Sequence, residues 1–152
     1  MVGLGKVKVT QGDDEGALAI YLDQLTRTPT LDLAGRIGDL YAKAGQPDKA
    51  EHYYQLAEDL AGPASIQTEA NLALFLAIHD RKLPEAVKIA EAVAATRQDI
   101  FTEDALAWAY FKTGRLHDAE VASARALRTG TRDGGLLSRA AQIRASALRA
   151  RG

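Results

Sequence analysis

The chain has 152 residues, 47% of them hydrophobic, which suffices for one domain with a packed core. A formal charge of −1 gives the whole chain no electrostatic pull toward nucleic acid or a membrane surface. It has no cysteine, hence no disulfide framework, thiolate nucleophile or Cys-based metal site, and no apolar run reaches the roughly 18 residues of a membrane span.

The N-terminal stretch MVGLGKVKVTQGDDEG lacks the continuous apolar segment of a secretory signal. The expected compartment is the cytoplasm, with an export signal in a longer parent chain left open. Residues 2–10 are read as a weak helix; Gly3, Gly5 and the alternation Val7-Lys8-Val9 make a short strand or frayed arm the competing reading. After a turn at Gly12, DDEGALAIYLDQL opens a helix with acids, where the dipole favours negative charge.

From Leu31 the spacing predicts a helix carrying Ile37, Gly38 and Tyr41, a turn at Gly45, and a second helix carrying Ala50, Tyr54 and Ala57. Pro47 and Asp48 suit that helix's first turn, where a missing N–H costs nothing. Ala61-Gly62-Pro63 ends it, and Ser65 is the expected cap of the next. That next helix, TEANLALFLAIHD, is apolar almost all round and needs cover on both faces. By count Arg81 stands where Gly45 stood and Ala77 where Tyr41 stood; Pro84 and Glu85 restart the chain as a helix.

Thr102 to Leu127 is the most telling stretch. Leu106, Ala107 and Tyr110 share one helix face, Gly114 breaks the chain, and Ala119, Ser123 and Ala126 run down a second helix. Asp99 or Thr102 caps the first. Small residues on the second helix let two helices approach closely. The turn TGTRDGG (129–135) follows, then a helix LLSRAAQIRASALRAR (136–151) with core positions expected at Leu137, Ala140, Ala141 and Arg144.

Two landmarks recur in step. Ala17, Ala50, Ala86 and Ala119 open the second-helix core faces, and Gly5, Gly38, Leu74 and Ala107 mark the first helices; both series advance by 33, 36 and 33 residues. The pattern L-A-x-x-Y, then G, then A-x3-S-x2-A resembles the tetratricopeptide repeat, a helix–turn–helix of about 34 residues. Ala73 to Ala77, Asp104 to Ala109 and Gly130 to Asp133 are also similar to runs in bacterial repeat proteins, a likeness covering the C-terminal half. The resemblance implies an all-α, right-handed solenoid of antiparallel helix pairs. The expected organisation is a single domain over 1–152: a partial repeat (1–30), repeats over 31–66, 67–99 and 100–133, and a capping helix over 134–151 or a fifth repeat cut short.

The residues offer no catalytic constellation. Gly3-Leu4-Gly5-Lys6 lacks phosphate-loop spacing. His52, His79 and His117 each stand alone, and Asp13-Asp14-Glu15 reads as a solvated helix start rather than a calcium loop. No enzyme activity, cofactor or metal is expected.

In the resembled family the first helices line a concave face that binds extended peptides. Carried over by position, that face receives Asp32, Gly35, Arg36, Asp39 and Lys43 from the second repeat, and Asn71, Phe75, Ile78 and His79 from the third. The fourth supplies Phe101, Asp104, Trp108, Phe111 and Lys112, and the last helix Ser138, Arg139 and Gln142. Phe75, Trp108 and Phe111 would form an aromatic centre, against the plainer reading of ordinary core. Gly35 would leave room for a ligand or a neighbouring backbone. The pairs Gly35/Asp39, Asn71/Phe75 and Asp104/Trp108 do not match the Lys/Asn and Lys/Arg pairs with which some such domains hold chaperone C-terminal carboxylates. Residues 134–152 carry +4 and the rest −5; the basic helix is read as a solvated capping face rather than a nucleic-acid or lipid contact.

The expected function is therefore non-catalytic protein–protein interaction through the concave face. The alternative is self-assembly, with that face or the terminal helix buried in a homo-oligomer. The expected partner is a protein or peptide, with no nucleic acid and no membrane span.

Overall fold

A computed structural model describes residues 14–61, 66–97 and 99–151. Every regular element among them is an α-helix: α1 (Asp14–Arg27), α2 (Leu31–Lys43), α3 (Pro47–Ala61), α4 (Ile66–Ile78), α5 (Leu83–Thr96), α6 (Ile100–Lys112), α7 (Leu116–Leu127) and α8 (Gly134–Arg151). The expected helix over 2–10, its landmark Gly5 and the Ser65 cap lie outside the described residues. The chain divides into two compact units, Met1–Gly62 and Pro63–Gly152.

In the first unit α1 packs on α2 and α2 on α3. Thr30 starts α2 by accepting the Leu33 backbone N–H at 3.1 Å. Gly45, at φ 75°, turns the chain where a side chain would be strained, and Pro47 then opens α3. Ala17, Ile37, Ala50 and Ala57 are buried together with Tyr21. Gly38 shows why the position must be small: a Cβ there would lie 2.5 Å from Cε1 of Tyr54. Tyr41 and Tyr53 stack beside this contact, with ring centroids 5.5 Å apart.

In the second unit α4 packs on α5 and α6, and α6 packs on α5, α7 and α8 as well. The near-uniform apolarity of α4 matches its cover, since Ala73, Phe75, Leu76 and Ala77 are all buried. α6 is enclosed over two turns; every residue from Thr102 to Ala109 is buried. Asp99, not Thr102, caps it, accepting the Thr102 N–H at 2.9 Å. The landmark alanines Ala86 and Ala119 are fully buried on α5 and α7.

The third repeat departs from the expected register by one residue. Its left-handed positions are Asp80 (φ 55°) and Lys82 (φ 46°), not Arg81. The bond that closes each turn identifies the equivalents: Gln46 N–H donates to Tyr41 O, Arg115 N–H to Tyr110 O, and Arg81 N–H to Leu76 O. Leu76 therefore occupies the tyrosine position, not Ala77, and fully buried Ala73 takes the small position, not half-buried Leu74. α4 ends one residue early and the turn is correspondingly longer. Aspartate tolerates the left-handed region well enough to make this possible without glycine.

α8 also presents a different face. Leu136, Ala140, Ile143 and Ala147 are buried, whereas Leu137, Ala141 and Arg144 are exposed. The doublets Leu136-Leu137 and Ala140-Ala141 make two adjacent faces almost equally apolar, and the bulk of Ile143 decides which turns inward.

Candidate protein-interaction face

In the first unit the expected polar contacts are engaged locally. Arg36 Nε donates to Asp32 Oδ2 at 2.8 Å, and Asp39 Oδ1 accepts from the Tyr54 hydroxyl at 2.7 Å. Lys43 Nζ lies 3.1 Å from Asp14 Oδ2. Exposed pairs of this kind contribute at most about 1 kcal/mol, so they are readily exchanged for other partners. Gly35 is buried.

In the second unit α4 packs on α6, and Lys112 Nζ, at the C-terminal end of α6, reaches Asp80 Oδ1 just past the end of α4 at 2.8 Å. Asn71 is exposed near the start of this surface and Ile78, 41% exposed, near its end. Phe75 is only 6% exposed. Its ring lies 4.4 Å from that of His79, whose Nδ1–H donates to the Phe75 carbonyl at 2.8 Å. The register shift explains the burial: Phe75 occupies the position equivalent to Ala109 in α6, which is core.

Trp108 is 7% exposed, tilted against Phe111 at 4.8 Å, with Lys112 Nζ 5.8 Å from its ring centroid. Its Nε1–H finds no acceptor among the described residues. Phe111 stays half-buried, and Phe101, at the first turn of α6, is 52% exposed. Of the expected aromatic centre, two rings belong to the interior and Phe111 keeps a partly open side. The exposed apolar groups flanking it are Ile78 and Phe101. Half-buried Leu74, which takes the place in α4 that Trp108 holds in α6, was missed by counting, because nothing in the letters marks the one-residue shift.

Asp104 and Arg139 meet each other. The guanidinium forks onto the carboxylate, Nε to Oδ1 at 3.0 Å and Nη2 to Oδ2 at 2.5 Å, tying α8 to α6. One residue earlier, Glu103 is held by Arg125 of α7 at 2.9 Å. Both carboxylates also sit in the first turns of α6, where the helix dipole favours them. Ser138 and Gln142 of α8 are exposed. His52 and His117 are exposed, and among the described residues no group of three or more His, Asp or Glu side chains is placed to hold a metal ion. Among the same residues no helix is long and apolar enough to cross a membrane.

Residues 31–62 match the tetratricopeptide repeat family model. Across the fold, the chain is similar to the crystal structure of a tetratricopeptide repeat protein from Parabacteroides merdae, with a TM-score of 0.57 at 17% identity. That likeness covers 93% of this chain, which spans 56% of the other. A thermophilic TPR protein from Thermus thermophilus aligns at 17% identity over 93% of this chain and 96% of that one, with a TM-score of 0.49. No curated protein matches the sequence. Tetratricopeptide repeats generally mediate protein–protein interaction or scaffolding, and the fold is typically a non-catalytic module. The matched repeat lies on α2 and α3, and across its described helices the chain has the fold of a tetratricopeptide repeat protein.

Proposed function

We propose that the protein is a non-catalytic interaction module and that the α4–α6 face of its second unit receives an extended peptide. The observation that carries this reading is the exposure of two apolar side chains, Ile78 of α4 and Phe101 of α6, on helices that pack against each other. Half-buried Leu74 and Phe111 continue the apolar surface, and Asn71 and Lys112 supply polar groups at its edges. Trp108 and Phe75 beneath it are buried, and a surface backed by packed rings adds little ordering cost on binding.

The test is selection of peptides from a displayed random library on the whole chain, followed by anisotropy titration of the selected sequences. Ile78→Glu and Phe101→Glu should each weaken binding at least tenfold while far-UV circular dichroism stays unchanged. Selected peptides that bind both variants as tightly as the parent would rule the face out. A concentration-dependent dimer abolished by the same two substitutions would favour self-assembly instead.

A further inference from the structure

We infer that the outward stripe of α8 docks an acidic amphipathic helix of a partner protein. This rests on the interaction-module reading but uses another surface. Leu137, Ala141, Arg144 and Leu148 recur at steps of four, three and four, and so lie along one side of the helix. All four are exposed, Leu137 at 41% and Leu148 at 51%. The stripe spans about 16 Å, three turns, and exposed Ala141 and Ala145 between the leucines allow close approach of a second helix.

Charge selects the occupant. α8 contains no acid, and its four arginines are unequally answered. Arg139 is neutralised by Asp104, and Arg151 reaches Glu120 Oε1 at 2.8 Å. Arg149 bonds the neutral Ser146 hydroxyl at 3.1 Å, and Arg144, inside the stripe, has no carboxylate partner among the described residues. A cation within a leucine–alanine strip and a second one residue past its last leucine call for apolar residues over three turns with Asp or Glu among and flanking them. A second copy docked by two-fold symmetry over the same stripe would bring the two Arg144 guanidiniums close together, which repels. The strip also lacks the aromatic residues that anchor lipid-bound helices.

The whole chain is titrated against two labelled peptides of about 18 residues, long enough to hold a helix. Both carry leucine at the same heptad spacing, one flanked by glutamate and the other by lysine. The glutamate peptide should bind at least tenfold tighter. Arg144→Glu should lose that preference and gain affinity for the lysine peptide, Leu148→Glu should weaken both, and Lys88→Glu on α5 should change neither. Peptides selected on the α4–α6 face should keep their affinity for Arg144→Glu, so the two surfaces fail separately. Equal binding of the two peptides, or none, overturns the inference. So does a dimer by light scattering that Leu148→Glu abolishes, or binding to phosphatidylserine vesicles without binding of the glutamate peptide.

Discussion

Lys82 holds a left-handed backbone, φ 46°, at the start of α5 and makes no side-chain capping bond there. A non-glycine residue in that region costs roughly 1–2 kcal/mol, and glycine returns part of this through its freer unfolded chain. Lys82→Gly should therefore stabilise the protein by about 0.5 kcal/mol in urea unfolding. Asp80→Gly should gain nothing, because it forfeits the Lys112 ion pair and replaces a residue that already tolerates the conformation. Asp80, Arg81 and Lys82 present no glycine to mark the turn, so counting residues from Gly45 reaches Arg81 although the strain sits on either side of it. The same ambiguity moved Phe75 from the expected face into the core.

Helix starts and helix faces were legible to different degrees. Asp99 and Thr102 stood as alternative caps of α6; Asp99 takes the role, and its environment perturbs it. Burial pushes the carboxyl up, but hydrogen bonds from the Thr102 backbone N–H and hydroxyl, with the adjacent Arg97 guanidinium, outweigh burial and hold it below the usual carboxylate range. A depressed native pKa adds stability that is full above the unfolded value of about 3.9 and vanishes as pH falls through the native value. Asp99→Ala should cost about 1 kcal/mol at pH 7, and the gap from wild type should close in acid below that range, as read by urea midpoints at both pH values. α4 announced its cover through its near-uniform apolarity, and Ala73, Phe75, Leu76 and Ala77 are all buried. α8 did not, because doubled leucine and doubled alanine left its inward face to the fit of Ile143.

Across the molecule, helix content and repeat spacing could be read from small residues: Ala17, Ala50, Ala86 and Ala119 are all buried. The partners of the polar groups could not, because each depends on side chains brought together by packing. Asp104 and Arg139 illustrate this; both were expected to face a ligand, and they hold each other instead. Arg139→Ala leaves a buried carboxylate unpaired and should lower stability by roughly 3 kcal/mol. Trp108, the sole tryptophan and a neighbour on the same helix, reports the transition by fluorescence, and adding Asp104→Leu to an Arg139→Met change should recover most of the loss. The order of these partners along the chain matters when the protein is made. Glu103 needs Arg125, 22 residues later, and Asp104 needs Arg139, 35 residues later. At about 5–20 residues per second, the Asp104 carboxylate is made roughly 2–7 seconds before its cation. Nascent chains stalled before Arg139 thus carry α6 packed against α4, α5 and α7 with the Asp104 carboxylate still lacking its cation.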